Sequence, residues 1–164
     1  MSIPVADLFD HFEDEMTLCE LVFRDFGGIT GFAGPIATVR VLEENKLVRD
    51  TLASPGQGRV LVVDGEGSTA RALVGDNLAG LGATNGWAGV IVNGAVRDAV
   101  GLSGIALGIK ALATNPKPPS KTGAGETDVP VIFGGATFRP GEWVYADVDG
   151  VAVAPRPLKP PKGA

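Results

Sequence analysis

The feature that most constrains the fold is the alternation of short apolar runs with segments of helical periodicity. Residues 59–63, 89–92 and 105–113 are largely apolar runs of strand length, and they predict buried strands. Residues 46–53 carry apolar side chains at helical spacing and predict a helix. A second helix is predicted from Leu73 to the pair Asn85-Gly86, where glycine ends it. Strands that alternate with helices are typical of an α/β architecture.

Further elements are predicted on either side of these runs. Asp7 is a candidate cap for a short N-terminal helix that runs toward Met16. Residues 32–42 predict a strand that is broken at Gly34-Pro35, because proline removes a hydrogen-bond donor from the ladder. Later strands are predicted at residues 129–133, 143–146 and 151–154.

The length of the chain predicts a single domain. A chain of 164 residues can bury a core of its own, and we assign that domain to residues 1–154. Residues 155–164 are rich in proline and lysine, which predicts a flexible C-terminal tail. Residues 114–128 contain three prolines and two glycines and predict a long loop. Loops of that length are usually functional or disordered.

Composition excludes several classes of protein. The net charge of −5 provides no basic patch for phosphates, so nucleic-acid binding is not expected. The single cysteine, Cys19, excludes an intramolecular disulfide and suits a reducing cytoplasm. The N-terminus lacks the pattern of a signal peptide, and no apolar run approaches the roughly 18 residues of a membrane span. We therefore expect a soluble, cytoplasmic protein with no membrane contact.

The adjacent pair Arg97-Asp98 is the strongest candidate for a functional site. It directly follows the apolar run 89–96, where a cation beside an anion is poorly explained as part of a core. Arg97 offers a planar fork that matches a carboxylate, and Asp98 offers a hard oxygen ligand for a metal ion. Two structural alternatives remain open: a surface ion pair, or Asp98 acting as the cap of a helix over residues 99–102.

A second glycine-acid pair lies upstream, with twenty residues between Asp76 and Arg97. The segment Gly75-Asp76-Asn77-Leu78 is predicted at or near a helical turn, where free backbone N–H groups favour a carboxylate or phosphate. The alternative is a glycine in a surface helix with Asp76 in solvent.

Histidine and cysteine are too scarce for most metal or nucleophile chemistry. With one histidine, His11, and one cysteine, zinc sites of His and Cys and histidine-based triads are not available. Any metal must be held by oxygen atoms, which favours Mg²⁺ or Mn²⁺ with several waters. The acids at residues 13–15 are a further possible metal cluster, although a solvated helix face explains them better.

A glycine-rich segment over residues 65–70 follows a predicted strand and precedes a predicted helix. It matches the dinucleotide-binding pattern with alanine at its last position. That pattern also requires an acid about twenty residues further on, at the end of the next strand. The sequence has Asn93 there, so a glycine turn that exposes backbone donors explains the segment better.

Eight short sequence blocks occur in order at residues 23–28 (FRDFGG), 32–36 (FAGPI), 62–65 (VVDG), 72–76 (ALVGD), 85–89 (NGWAG), 94–98 (GAVRD), 134–138 (GGATF) and 145–147 (YAD). Taken together, these blocks resemble one family, that of the 4-hydroxy-4-methyl-2-oxoglutarate aldolases and regulators of ribonuclease activity A (RraA). The likeness runs from about Asp7 to Ala154.

The resemblance implies a swivelling β/β/α-type α/β domain and a homotrimer with sites near subunit contacts. It implies a divalent-metal-dependent class II pyruvate aldolase that cleaves 4-hydroxy-4-methyl-2-oxoglutarate, with oxaloacetate decarboxylase activity through a shared pyruvate enolate. In such a site, Gly75, Asp76, Asn77, Leu78 and Arg97 contact a small 2-oxo acid, and Asp98 binds Mg²⁺ or Mn²⁺. Arg97 and Asp76 are the candidate catalytic residues. A metal-bound water assisted by Asp76 is our hypothesis for the acceptor of the 4-hydroxyl proton.

The chain departs from this family at one position. Aldolases of the group tend to carry an acid three positions after the Arg-Asp pair, where this sequence has Gly101. The departure bears on aldol cleavage more than on decarboxylation. The other branch of the family binds and inhibits ribonuclease E, and an acidic chain suits a basic partner. Methyl transfer, an older label for some relatives, lacks a cofactor-binding sequence here.

Overall fold

The computed structural model describes residues 3–162, so positions 1, 2, 163 and 164 of the predicted domain and tail lie outside the described residues. Within residues 3–162 there are four α-helices, α1 (Val5–Phe12), α2 (Lys46–Leu52), α3 (Asp76–Thr84) and α4 (Ala99–Leu102), and one short 3₁₀ helix (Glu13–Glu15). The strands are β1 (Thr17–Cys19), β2 (Arg24–Asp25), β3 (Phe32–Arg40), β4 (Val60–Asp64), β5 (Ala72–Val74), β6 (Gly89–Val96), β7 (Gly108–Thr114), β8 (Glu126–Thr127), β9 (Val131–Phe133), β10 (Ala136–Phe138), β11 (Trp143–Asp147) and β12 (Gly150–Ala154).

Ten of these strands form one mixed sheet, in which eight follow the order β1-β12-β11-β3-β4-β6-β7-β2. Its centre, from β3 to β7, is parallel, and it is continued by antiparallel β11 and β12 on one side and β2 on the other. The strand β5 pairs with β6, β8 pairs with β3, and β9 and β10 form a separate hairpin. The predicted α/β single domain is therefore confirmed.

Apolar packing covers both faces of the parallel strands. On one face, side chains of β4, β6 and β7 pack against Val48 and Leu52 of α2, Ala79 of α3 and Leu102 of α4. On the other face, the sheet packs against β9 and β10. Strands buried on both sides read as continuous apolar runs, which is why β4 and β6 were predictable from sequence.

Residues 72–74 are a strand, whereas the sequence analysis placed Leu73 and Val74 in a helix. They pair in parallel with the end of β6, Ala72 opposite Ala95 and Val74 opposite Val96, and all three are buried. The helix begins only at Asp76, after Gly75. Pairing of residues 72–74 with β6 outweighs the helical spacing of the apolar residues.

The strand β3 is continuous through Gly34-Pro35, so the predicted break is wrong. Residues 32–35 pair with β11, and residues 36–40 pair with β4. The missing N–H of Pro35 falls where the strand changes from one neighbour to the other. A Cβ on Gly34 would lie 2.2 Å from the backbone oxygen of Gly58, so only glycine permits this approach.

The two chain ends pack together on the outer sheet. The N-terminal helix begins at Val5, after Pro4, earlier than the predicted cap at Asp7. In the segment predicted as a tail, Leu158 is buried and its N–H donates to the Tyr145 hydroxyl at 2.7 Å. Arg156 donates two hydrogen bonds to Glu15, each 2.8 Å long. Within residues 3–162, no helix combines the length and the apolar character needed to cross a membrane.

Candidate functional site

The pairing of β5 with β6 brings the two predicted motifs together. Because the strands are parallel, both end at the same edge of the sheet, and the backbone N–H of Arg97 donates to the carbonyl of Val74 at 2.9 Å. Gly75 and Asp76 therefore lie beside Arg97 and Asp98, although twenty residues separate them in sequence.

Gly75 is the closest point of contact between the two motifs. A Cβ at this position would lie 2.6 Å from Asp98 Oδ2 and 3.3 Å from Arg97 Cγ. The backbone is extended there, with φ −125° and ψ −169°, so the glycine is required for space and not for an unusual conformation.

Asp98 has a left-handed backbone, with φ 61° and ψ 43°, which is uncommon for a residue other than glycine. It stands at the start of α4, but its side chain makes no capping hydrogen bond to that helix. Instead, Asp98 Oδ2 accepts a hydrogen bond from the backbone N–H of Asp76 at 3.1 Å. The carboxylate is thus directed toward the β5–α3 turn, which argues against the helix-cap interpretation.

The ion-pair interpretation of Arg97-Asp98 is also weak. Arg97 Nε lies 4.0 Å from Asp98 Oδ2, and both side chains are 40% exposed. A pair this long and this exposed contributes little to stability. The two groups are therefore available to other partners, as a binding site requires.

All six predicted site residues line one cleft of about 340 Å³. The size suits a small organic acid. Three cationic side chains and two carboxylates face it. Buried residues of β5 also line the cleft. The complete set of lining residues is Asn45, Arg49, Ala72, Leu73, Val74, Gly75, Asp76, Asn77, Leu78, Leu81, Arg97, Asp98, Pro119 and Lys121.

The start of α3 adds backbone donors to this cleft. The N–H groups of Asn77 and Leu78 lie in the first helical turn, where they have no partner within the helix. Such donors, together with the helix dipole, favour a bound carboxylate. The alternative of a glycine within a surface helix is wrong, because Gly75 precedes the helix.

The donor set of the cleft suits a hard divalent cation. Within residues 3–162, no three His, Cys, Asp or Glu side chains group together as a protein-only metal cage, and this applies also to the acids at residues 13–15. Mg²⁺ is commonly held by one or two carboxylates while it keeps several waters. Asp98, with Asp76 beside it, fits that mode of binding.

The glycine-rich segment after β4 does not form a phosphate loop. The N–H groups of Gly65 and Gly67 both donate to the carbonyl of Asn93, and the N–H of Ser68 donates to Gly65. The segment leads into β5, not into a helix. The N–H groups of its two glycines are bonded within the fold, so the dinucleotide pattern has no structural support.

Comparison with known proteins identifies the family. The RraA-like family, described as Aldolase/RraA, matches residues 5–153. The chain belongs to the RraA-like family. Curated relatives of this RraA-like chain include proteins named "Putative 4-hydroxy-4-methyl-2-oxoglutarate aldolase". The one from Alkalilimnicola ehrlichii is 54% identical over 94% of this chain and 96% of its own. The one from Laribacter hongkongensis is 52% identical over 96% and 99%.

Two solved structures share the RraA-like fold closely. A Geobacillus kaustophilus protein described as an S-adenosylmethionine:2-dimethylmenaquinone methyltransferase matches with a TM-score of 0.94 and 47% identity, over 95% of this chain and 97% of its own. The RNA-processing inhibitor RraA from Thermus thermophilus matches with a TM-score of 0.94 and 44% identity, over 99% and 98%. One fold thus carries three different functional descriptions.

Sequence reasoning missed part of the cleft of this RraA-like chain. Arg49 lies on the exposed side of α2, where nothing in the sequence distinguishes it from a solvated residue. Pro119 and Lys121 lie in the loop that was singled out only for its length and proline content. That length was the available signal, because long loops in small domains are often functional.

Proposed function

We propose that this RraA-like chain is a divalent-metal-dependent carbon–carbon lyase of the pyruvate class. Its reactions are the cleavage of 4-hydroxy-4-methyl-2-oxoglutarate to pyruvate and the decarboxylation of oxaloacetate. The observation that carries the proposal is the convergence of Arg97, Asp98 and the first turn of α3 on one small cleft. The names of the two curated relatives support the aldolase assignment.

Arg97 and the start of α3 would bind and orient the 2-oxo acid. The guanidinium matches a carboxylate with two parallel hydrogen bonds. The N–H groups of Asn77 and Leu78 place positive potential near the carbon chain of the substrate. These donors are fixed by the β5–β6 pairing before substrate arrives, so negative charge that develops during the reaction is stabilised without rearrangement.

Asp98 would hold the divalent cation, with Asp76 nearby. When bound, the cation supplies Lewis-acid stabilisation of the negative charge on the 2-oxo group. In aldol cleavage, the 4-hydroxyl loses its proton, the bond between C3 and C4 breaks, and C4 leaves as the keto carbon of one pyruvate. The electron pair of the broken bond forms the enolate of the other pyruvate, which then takes up a proton at C3. In decarboxylation, the C3–C4 bond of oxaloacetate breaks with release of CO₂ and leaves the same enolate. Asp76, exposed in the cleft, would help a water to accept the hydroxyl proton.

The test compares both substrates in one assay of pyruvate release. We expect both activities to disappear with a chelator and to return with Mg²⁺ or Mn²⁺. Asp98→Ala should lower turnover by a factor on the order of a hundred or more, because it removes the ligand itself. Arg97→Ala should mainly raise KM, by about tenfold to a hundredfold, through loss of a charge-assisted hydrogen bond.

Asp10→Ala, which removes an exposed carboxylate of α1, is the matched control and should behave like the wild type. Turnover in Asp98→Ala equal to that of the wild type, or activity that persists in excess chelator, would contradict the proposal.

A regulatory role is the second candidate, and the similarity to the Thermus thermophilus RNA-processing inhibitor favours it. In this role the chain binds and inhibits ribonuclease E, and the net charge of −5 suits a basic partner. Addition of the purified protein to a ribonuclease E cleavage assay should then slow RNA processing. Unchanged cleavage at a large molar excess would exclude this role.

A further inference from the structure

The tripeptide Val-Asp-Gly occurs twice in the chain, at residues 63–65 and 148–150. An aspartate followed by glycine is chemically labile, because glycine has no Cβ to hinder the approach of its nitrogen to the aspartate side chain. Since the three residues are identical in the two copies, the local sequence gives both the same reactivity. Any difference between Asp64 and Asp149 therefore comes from the fold.

The fold engages the first copy at both reacting groups. Asp64, at the end of β4, is 7% exposed. Its Oδ1 accepts hydrogen bonds from Asn93 Nδ2 at 3.0 Å and from the N–H of Glu66 at 2.9 Å. The nitrogen that would attack it, that of Gly65, donates to the carbonyl of Asn93 at 3.0 Å. A reaction at Asp64 therefore requires the end of the strand to open first.

The second copy lies in an exposed turn. Asp149 lies between β11 and β12, beyond the last paired residues, Asp147 and Gly150. Its N–H donates to Asp147 Oδ1 at 2.9 Å, a local contact typical of aspartate in turns. Its own carboxylate is exposed and makes no hydrogen bond or ion pair with any of residues 3–162. This carboxylate can approach the next nitrogen without any opening of the core.

Two asparagine-glycine pairs have the same kind of nucleophile, and the fold engages their side chains. Asn85 follows α3, and its Nδ2 donates to two backbone carbonyls, each at 3.0 Å. Asn93 is 6% exposed within β6 and donates to Asp64. These hydrogen bonds must break before either amide can react. Of the four aspartate-glycine and asparagine-glycine pairs, all within residues 3–162, that of Asp149 alone has an unpaired side chain.

We propose that Asp149 is a modification site at which the chain isomerises to isoaspartate. The Gly150 nitrogen gives up its proton and bonds to Asp149 Cγ, the carboxyl group gives up its hydroxyl, and one water leaves. The product is a cyclic succinimide. Addition of water then breaks the bond between the Gly150 nitrogen and the backbone carbonyl carbon of Asp149, so the chain continues through the side chain. The inference goes beyond the lyase proposal and does not depend on it.

The product has a free α-carboxylate at position 149. This group is the substrate of carboxyl methyltransferases that use S-adenosylmethionine and recognise isoaspartate. Because Asp149 is exposed in a turn, such an enzyme can reach it in the folded chain.

The modified turn is a joint between three parts of the fold. The Asp147 carbonyl accepts a hydrogen bond from Lys110 Nζ, which also pairs with Asp25 at 3.0 Å. Asp147 Oδ2 accepts the N–H of Val5, the first residue of α1, at 2.8 Å. Isomerisation adds one methylene group to the backbone two residues after Asp147. We therefore expect it to weaken the attachment of α1 to the outer sheet.

Peptide mapping of the aged protein by electron-transfer fragmentation, which distinguishes isoaspartate from aspartate, tests the site. In the folded protein, isoaspartate at Asp149 should exceed that at Asp64 by at least about tenfold, because only Asp64 requires local opening. In the urea-unfolded chain the ratio should fall toward one, since the two tripeptides are identical. A ratio near one in the folded protein, or isoaspartate formed mainly at Asn85 or Asn93, would overturn the proposal.

Methyl transfer by an isoaspartyl-specific methyltransferase gives a second readout. The aged wild type should accept methyl groups, and Asp149→Glu should lose most of this acceptance, because the longer side chain closes a larger ring less readily. Asp149→Asn should gain acceptance faster, because ammonia leaves in place of water. Asp14→Glu changes an exposed acid that no glycine follows, and it should age like the wild type. Unchanged acceptance in Asp149→Glu would refute the site.

Amide hydrogen exchange tests the effect on the joint. The isoaspartate form is separated from the unmodified protein by chromatography, and the two are compared. The N–H of Val5 should exchange faster in the isoaspartate form, whereas the N–H of Ile91 in the buried strand β6 should be unchanged. Equal exchange at Val5 would refute the weakened attachment of α1.

Discussion

At the scale of single residues, Gly101 controls the surroundings of Asp76. A Cβ at position 101 would lie 3.1 Å from Asp76 Oδ2 and 3.3 Å from Asp76 Cβ. An acidic side chain at this position, as aldolases of the family tend to have, would therefore stand against the carboxylate of Asp76. Two neighbouring carboxylates raise the pKa of one of them, which makes it a better proton acceptor near neutral pH.

This contact predicts a gain of activity in one variant. Gly101→Glu should increase cleavage of 4-hydroxy-4-methyl-2-oxoglutarate by at least about tenfold, as for an added general base. Decarboxylation of oxaloacetate should change little, because no hydroxyl proton is removed in that reaction. The measurement is the ratio of the two kcat/KM values. Gly101→Ala adds the Cβ without the acid and is the control; an equal gain in Gly101→Ala would contradict the explanation.

The sequence was sufficient to predict Arg97 and Asp98 as site residues. It was not sufficient to predict that Arg49 and Lys121 lie in the same cleft. A charged pair directly after a buried strand is unusual, so the first two could be recognised locally. Arg49 is one of several charged residues on an exposed helix, and the loop that carries Lys121 is held near it by tertiary contacts of residues 43–45. Which cations share a cleft is a property of tertiary contacts, and no local pattern reports it.

At the scale of elements, residues 72–84 also show that a local sequence pattern does not reveal tertiary partners. Apolar residues at Leu73, Val74, Leu78 and Leu81 fit a helix, yet they equally fit a three-residue strand followed by a helix. Pairing with the end of β6 decides between the two. The central strands β4 and β6 could be predicted without knowledge of their neighbours, because burial on both faces gives each of them a continuous apolar sequence.

The loop between β7 and β8 is held in place by hydrogen bonds to one ionised side chain, that of Glu44. Burial alone would raise the pKa of Glu44, but hydrogen bonds from Gly123, Lys46 and Thr122 outweigh it and lower the pKa to about 2. Since this pKa lies below the ordinary value of 4.5, Glu44 stabilises the folded state above about pH 4.5. That contribution is lost as the pH falls from 4.5 toward 2.

Glu44→Gln should therefore destabilise the protein by about 1–3 kcal/mol at pH 7, because hydrogen bonds to a charged acceptor are weakened. The difference from the wild type should shrink as the pH falls from 4.5 toward 2, because Glu44 becomes progressively protonated and thus neutral, as glutamine is. Chemical denaturation at a series of pH values measures it. Glu13→Gln, which changes an exposed acid with no side-chain hydrogen bond within residues 3–162, is the control. A difference independent of pH would show that the charge of Glu44 is not responsible.

At the scale of the whole molecule, several large apolar side chains remain on the surface. Val100 is 91% exposed and lies in α4, two residues after Asp98. Val22, Ile132 and Val148 are also mostly exposed. We propose that the chain forms a homotrimer with sites near the subunit contacts, as the family resemblance implies, and the exposed apolar residue close to Asp98 supports a subunit contact there.

A homotrimer predicts a mass of about 50 kDa in sedimentation equilibrium, three times the 16.8 kDa of one chain. Val100→Asp should shift the population toward monomers, because it would place a charge in an apolar contact. Asp10→Ala should leave the mass unchanged. A wild-type mass of 16.8 kDa at micromolar concentration would contradict the trimer.

The tight approach of Gly75 to Asp98 also limits how descendants of this chain can diverge. A side chain at position 75 would displace the Asp98 carboxylate, so position 75 is constrained for as long as Asp98 keeps its role. A lineage that abandons the chemistry is free to fill position 75, whereas one that keeps it must retain a residue without a side chain there. Among descendants, retention of Gly75 would therefore indicate that the Asp98 carboxylate still has its role.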